Sequence, residues 1–133
     1  MATIFSRIIQ GEIPCYKIAE NDKFFAFLDI NPVSKGHTLV VPKQETDYLF
    51  NLDDADLGEM MVFAKKVANA IEKAIPCKRI AVAVIGLEVP HAHIHLVPIT
   101  KEGDLDFKKE HLKLSQEEFV EIQNRIVSSY INQ

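Results

Sequence analysis

The sequence predicts an α+β fold: a single antiparallel sheet of about five strands with a long central helix and a C-terminal helix. After Asp53, apolar residues recur at helical spacing up to Ile75. Strand-like runs fall in two groups, before and after this helix, instead of alternating with helices one for one. The chain has 133 residues, of which 47% are hydrophobic and 26% charged. This size and composition predict a single domain over residues 1–133.

The first half of the chain predicts a short helix followed by three strands. Residues 3–10 are helical in pattern, and Gly11 ends the run. Residues 16–19 and 23–28 resemble strands, and the turn-forming pair Asn21-Asp22 between them indicates a hairpin. Residues 37–42, which read HTLVVP, form a β-branched run that stops at a proline. A third strand is therefore expected there.

The second half predicts the long helix, two more strands and a last helix. Asp53 is a candidate N-cap of the long helix, and Pro76 ends it. Residues 79–85, RIAVAVI, are apolar at nearly every position, which is typical of a central strand covered on both faces. Residues 91–97 predict the final strand. Ser115 and Glu118 have capping-box spacing and open the last helix.

Charge and composition exclude several classes of protein. Fifteen basic and 19 acidic residues give a net charge of −4, without the basic surplus of a nucleic-acid-binding protein. The longest run without a charged residue, 89–100, has about 12 residues, whereas a membrane-spanning helix needs about 20. Arg7 interrupts the N-terminal apolar patch, so no signal peptide is expected. Cys15 and Cys77 form no CxxC pair, which favours reduced thiols and a cytoplasmic location.

Three of the five histidines, His91, His93 and His95, occupy alternate positions. Side chains alternate between the two faces of a strand, so this spacing predicts three imidazoles on one face, roughly 6.5 to 7 Å apart. The residues between them are apolar and would enter the core. Burying three imidazoles costs desolvation that Val or Ile would not incur. A polar ligand or a metal is therefore expected over the row.

Two chemistries could use this row. In a metal site, two of the imidazoles would bind one ion, with a third ligand from His37, Glu88 or His111. No HExxH, CxxC or HxxxH pair accompanies them. In nucleophilic catalysis, a neutral imidazole would attack an anionic phosphate, and water would discharge the resulting phosphoimidazole. The residues alone leave both possibilities open.

Four segments, in order, resemble the histidine triad (HIT) family: TIFSRIIQGEIPCYKI, FFAFLDINP, KGHTLVVPK and HAHIHLVP. The resemblance covers roughly residues 2–99. It implies the HIT-like fold, with protomers paired in a two-fold dimer through a continuous sheet. It also implies a nucleotide hydrolase or transferase that needs no cofactor. The substrates would be nucleoside 5'-phosphates with an amine, an acyl group or a second nucleotide on the α-phosphorus.

The resemblance also implies roles for individual residues. His93 would be the nucleophile that becomes nucleotidylated. His91 and His95 would hold phosphate oxygens and help the leaving group, with His37 as the fourth histidine of the site. Asp29 would bind the ribose hydroxyls. The residues expected to line the base pocket are Ile4, Phe5, Ile8, Phe27 and Leu28.

Two departures from the family pattern affect the expected specificity. Leu87 stands where many members have Gln, and Glu88 follows it. A carboxylate at Glu88 would repel extra phosphates and favour an amine leaving group. Thr3 and Ser6 occupy the places of cysteines that bind zinc in some relatives, so no zinc site is expected there.

The resemblance thus implies a nucleoside 5'-monophosphoramidase or related nucleotide hydrolase, acting on an AMP-like purine nucleotide as a homodimer. No nucleic-acid or membrane partner is expected. Two alternatives stay open at this stage. One is a catalytically weak purine-nucleotide-binding protein, and the other is a metal-dependent hydrolase.

Overall fold

One five-stranded antiparallel sheet organises the computed structural model, which describes residues 2–133. In chain order the elements are α1 (Ile4–Ile9), β1 (Lys17–Glu20), β2 (Phe24–Leu28), β3 (Thr38–Pro42), α2 (Asp54–Ala74), β4 (Arg79–Ala83), β5 (Ile94–Ile99) and α3 (Gln116–Ile131). Two short 3-10 turns lie at Leu49–Asn51 and Glu102–Asp104. The strand order is β1-β2-β3-β5-β4, with every neighbouring pair antiparallel. The predicted α+β class is confirmed.

The predicted caps bound both long helices. The Asp53 carboxylate accepts a hydrogen bond from the Asp56 N–H at 2.8 Å, at the N-terminus of α2. The Ser115 hydroxyl accepts from the Glu118 N–H, and the Glu118 carboxylate accepts from the Ser115 N–H. These bonds satisfy N–H groups that have no partner within the helix. At the other end, α2 stops at Ala74, two residues before Pro76.

The sheet has two different faces. Helices α2 and α3 pack on one face and bury the main core, to which Phe24, Ala26 and Leu28 of β2 contribute. The residues between them point to the other face, as the two-residue period of a strand requires. There a smaller cluster forms against α1, composed of Phe5, Phe25, Phe27, Leu39 and Val41.

Two strand predictions need correction. The run at residues 79–85 was expected to be a central strand, yet β4 is an edge strand that ends at Ala83, and Val82 is 50% exposed. Apolar residues on both faces of a strand indicate that both faces are buried. They do not indicate whether the same chain or a second copy buries them. The last strand begins at Ile94 instead of His91. His91 and His93 therefore belong to the irregular segment that leads into β5.

Within the described residues, no helix is long and apolar enough to cross a membrane. Cys15 and Cys77 are both free thiols.

Candidate active site

Four histidines gather on the sheet face that carries α1. His95 lies on β5, His37 lies one residue before β3, and His91 and His93 precede β5. The His93 and His95 ring centroids are 4.9 Å apart, and those of His37 and His95 are 5.2 Å apart. These rings converge more closely than a straight strand would allow. All four side chains are buried.

The backbone brings His37 to this place through a tight loop. Gly36 has a φ of +90°, which favours glycine. A Cβ on Gly36 would lie 3.0 Å from Ile75 Cγ1 and 3.2 Å from Pro98 Cγ. The loop therefore packs against the end of α2, and His37 follows directly in the turn closed by its N–H and the Ser34 carbonyl.

A chain of hydrogen bonds fixes the protons of His37 and His95. The Val33 N–H donates to His37 Nδ1 at 3.1 Å, so the proton of this neutral ring is on Nε2. His37 Nε2 lies 2.9 Å from His95 Nδ1 and donates to it. His95 therefore carries its own proton on Nε2, which makes Nε2 a hydrogen-bond donor.

His93 has the opposite tautomer. Its Nδ1 lies 2.7 Å from the backbone oxygen of His91. A carbonyl oxygen can only accept, so Nδ1 carries a proton, and in the neutral ring Nε2 has the lone pair. The Phe5 ring packs edge-on against His93 with centroids 5.1 Å apart, which restricts rotation of the imidazole. The arrangement makes His93 Nε2 available as a nucleophile.

His91 is fully buried and uses both of its ring nitrogens inside the protein. Nε2 donates to the Pro42 carbonyl at 2.8 Å, and Nδ1 lies 2.7 Å from the Thr3 hydroxyl. The expectation that this ring holds phosphate oxygens is therefore not met by the geometry. The ring instead anchors the backbone whose carbonyl orients His93.

A polar network at the start of α1 holds that anchor in place. The Glu45 carboxylate accepts from the Ser6 hydroxyl and from the Thr3 N–H, both at 2.6 Å. These two hydrogen bonds, the Ser6 bond first, lower the pKa of Glu45. Thr3 and Ser6 thus both serve in hydrogen bonding.

Burial keeps these imidazoles neutral. It lowers the pKa of His37 to about 4 and that of His95 to about 4, with smaller effects from the neighbouring histidines. Burial also lowers the pKa of His91. The protons assigned to His37 and His95 are therefore the ones present at neutral pH.

Asp29 lies at the edge of this group. Its Oδ2 is 3.5 Å from His37 Nε2, and its Oδ1 accepts from the Asn31 N–H at 2.8 Å. Because His37 is neutral, the first contact is not an ion pair. The carboxylate is part-exposed, so it can still accept bonds from a ligand.

The predicted base-pocket residues do not all lie together. Phe5 and Phe27 belong to the small cluster on the histidine face, and Ile8 packs against it. Ile4 is 49% exposed at the start of α1. Leu28 is a correction, because its side chain is 2% exposed and lies in the main core on the opposite face. Strand alternation places Leu28 opposite its neighbour Phe27.

Glu88 is exposed on the loop that leads to His91, and its role stays a prediction. The sequence reasoning missed Phe107. Its ring centroid lies 4.8 Å from that of His95 and 5.9 Å from that of His37. Phe107 comes from an irregular stretch with no periodicity to reveal it, so no pattern signal could have found it.

Asp29, His37 and His95 could also hold a metal ion, since one ligand atom from each lies within 4.8 Å of the others. Oxygen and imidazole nitrogen ligands suit zinc. However, the bond from Val33 places a proton on His37 Nε2, between the two rings. A metal there would have to displace that proton.

The chain has clear relatives among known proteins. A family model described as the HIT domain matches residues 10–102. The chain belongs to the HIT family. An uncharacterized HIT-like protein of Borreliella burgdorferi is 38% identical over 131 residues, covering 92% of this chain and 94% of that protein.

Two further HIT relatives carry more informative names. The adenosine 5'-monophosphoramidase of Schizosaccharomyces pombe is 37% identical over 103 residues, 77% of each chain. A hypothetical histidine triad nucleotide-binding protein from Sulfolobus tokodaii has a similar structure, with a TM-score of 0.85 and 29% identity, covering 96% of this chain and 91% of that one. The HIT fold therefore spans nearly the whole chain.

Proposed function

We propose that this HIT protein is a nucleoside 5'-monophosphoramidase that cleaves at the α-phosphorus through a covalent intermediate on His93. The observation that carries the proposal is the opposite tautomers of adjacent histidines. His93 offers a lone pair on Nε2, while His95 offers a proton on Nε2. One ring can attack phosphorus while its neighbour donates a proton.

In the first step, His93 Nε2 forms a bond to the α-phosphorus and the bond to the leaving group breaks. The amine leaves with a proton from His95 Nε2. As that proton departs, the His37 Nε2 proton can move to His95 Nδ1, so the negative charge passes to the His37 ring, whose Nδ1 accepts from the Val33 N–H. It balances the positive charge that the His93 ring gains on forming the bond to phosphorus. The positive charge that develops on the His93 ring is stabilised because its Nδ1–H donates to the His91 carbonyl.

In the second step, water attacks the phosphorus of the phosphoimidazole. The P–N bond to His93 breaks, its electron pair returns to Nε2, and the nucleoside monophosphate leaves. The proton that the water loses returns to the His37–His95 pair. Both halves of the reaction therefore use the same proton path in opposite directions.

A purine nucleotide suits the surfaces around the four histidines. Asp29 has a part-exposed carboxylate that can accept from ribose hydroxyls. The exposed side of Ile4, together with Ile8, offers an apolar contact for a base. The name of the S. pombe relative, adenosine 5'-monophosphoramidase, supports adenosine and a P–N bond.

The decisive experiment traps the intermediate. Rapid quenching of the enzyme with adenosine phosphoramidate should give an intact-mass increase of one AMP, mapped to His93. His93→Ala should lose turnover and the adduct but still bind AMP, because the loss falls on the transition state. Tyr48→Ala, an exposed aromatic remote in sequence from the triad, serves as the control. Turnover by His93→Ala, or AMP binding without any release of the amine by the wild type, contradicts the proposal.

The role of Glu88 needs its own comparison. Glu88→Gln should lower the preference, measured as the ratio of kcat/KM, for a phosphoramidate over a dinucleoside polyphosphate. The carboxylate repels additional phosphates, and the amide does not. An unchanged ratio removes Glu88 from the site.

A metal-dependent hydrolase is the second candidate, because Asp29, His37 and His95 could bind an ion. Metal analysis of the purified protein and activity after chelation separate the two functions. Loss of activity on chelation, restored by one equivalent of zinc, would favour this candidate. Full activity without bound metal would favour the covalent mechanism.

A homodimer completes the proposal. Strand β4 is an edge strand with exposed Val82, and apolar Val84 and Ile85 follow it. Exposed apolar edges are usually paired in stable proteins. Pairing of two β4 edges would join the sheets and cover these side chains. Light scattering should give a dimer for the wild type and a monomer for Val82→Lys, with Val120→Lys on α3 as the control.

A further inference from the structure

The segment between β5 and α3 crosses the histidine face and covers the His37–His95 pair with one side chain. This is Phe107, whose ring lies 4.8 Å from His95 and 5.9 Å from His37, measured between centroids. Phe107 is half-buried. Its ring therefore lies next to both imidazoles of the hydrogen-bonded pair.

His111 fastens this segment through both of its ring nitrogens. Nδ1 lies 2.6 Å from the Asn31 carbonyl oxygen, and Nε2 lies 3.0 Å from the Phe107 carbonyl oxygen. Carbonyl oxygens only accept, so both bonds form together only when both nitrogens carry protons. With both bonds formed, His111 is an imidazolium. A second tie joins the same chain segments, from the Leu112 N–H to the Pro32 carbonyl at 2.8 Å.

We propose that Phe107, fastened by the His111 imidazolium, is a positioning residue that excludes water from the His37–His95 hydrogen bond. This inference rests on the proposed function and names a further part of the same site. Water at this pair would stabilise the charged imidazolium forms. A protonated His95 would lose the acceptor Nδ1, and the proton path from His37 would be broken. Phe107 thereby keeps His95 neutral, with a proton on Nε2 and an acceptor lone pair on Nδ1.

The charges around His111 favour its protonated form. The Asn31 and Phe107 carbonyls raise the pKa of His111 most, and the Asp29 carboxylate adds to this, while Lys109 opposes it. His37 also faces it, but His37 is neutral at neutral pH. As the pH rises through the pKa of His111, one of the two carbonyl bonds is lost.

The test compares Phe107→Ala and Phe107→Leu with Phe50→Ala, which removes an aromatic ring that is 67% exposed. The pKa values of His37 and His95 are measured by NMR titration without substrate. They should rise in Phe107→Ala, stay near the wild-type values in Phe107→Leu because an apolar cover remains, and stay unchanged in Phe50→Ala. Unchanged values in Phe107→Ala overturn the proposal.

Kinetics provide a second readout. If the pKa of the pair returned fully to about 6.5, the pair would be neutral at pH 5 in only about one molecule in thirty. At pH 5, Phe107→Ala should therefore lose roughly threefold to thirtyfold in kcat relative to pH 8, with little change in KM. A uniform loss at all pH values would indicate a merely structural role and overturn the proposal.

His111→Ala should shift the acid limb of the kcat profile in the same direction as Phe107→Ala but less, because the Leu112 tie remains. The double variant should resemble Phe107→Ala alone, since both act through one contact. Additive shifts of the acid limb in the double variant contradict the role of His111 in holding Phe107. If the NMR values move as expected while the wild type hydrolyses no phosphoramidate, the proposed function fails and the cover over His37 and His95 stands.

Discussion

Replacing His37 with Gln should flatten the pH dependence of folding stability between about pH 7.5 and pH 5. Burial lowers the pKa of His37 from 6.5 to about 4 in the folded protein. The unfolded chain therefore takes up the proton first as the pH falls below 6.5, and the folded state loses stability down to about pH 4. Each pKa unit is worth about 1.4 kcal/mol, and about one and a half units are crossed by pH 5. The expected contribution is about 2 kcal/mol.

Urea unfolding at both pH values measures this contribution. Gln keeps an N–H donor near the position of His37 Nε2, so His95 retains a partner. The wild type should lose about 2 kcal/mol more than His37→Gln on going from pH 7.5 to pH 5. The comparison across pH cancels the cost of the substitution itself. Equal losses in the two proteins would mean that His37 is not held neutral by burial, and the assigned proton path would fail with it.

Three further substitutions test the scaffold in urea unfolding. Gly36→Ala should lower the free energy of unfolding by about 2 to 4 kcal/mol, since it places a Cβ at positive φ and 3.0 Å from a buried side chain. Its control, Gly103→Ala, places a Cβ in open space and should lower the free energy of unfolding far less. Ser115→Ala should cost about 1 kcal/mol through the lost cap of α3. Thr3→Val should cost about 1 to 2 kcal/mol, because it removes the hydroxyl bonded to His91 and the cap of α1, and Thr3→Ser should retain most of that stability.

The parts of the fold that could be predicted are those set by local chemistry. Asp53 and Ser115 cap helices because their side chains reach N–H groups three residues away, a relation visible in the sequence. The sheet position of β4 could not be predicted, since it depends on which strands pair at long range. A strand with apolar residues on both faces suits the centre of a sheet and an interface equally well.

The candidate site divides in the same way. Alternation along a strand predicted that His91, His93 and His95 lie together, although His91 and His93 precede β5. The tautomer of His95 depends on Val33 and His37, which lie far away in sequence. His91 was expected to touch phosphate, and only the structure shows Thr3 and Pro42 occupying its two nitrogens. These partners lie 88 and 49 residues away. No spacing rule connects such distant positions.

The difference between His93 and His95 comes from the backbone. Both are imidazoles on one sheet face, two positions apart, yet one keeps its lone pair on Nε2 and the other keeps a proton there. The His91 carbonyl requires a proton on Nδ1 of His93. The Val33 N–H, acting through His37, requires the absence of one on Nδ1 of His95. One peptide acceptor and one peptide donor thus give identical side chains the different protons that the proposed nucleophile and acid need. Burial maintains the proton on His95 Nε2 because neither His37 nor His95 titrates near neutral pH.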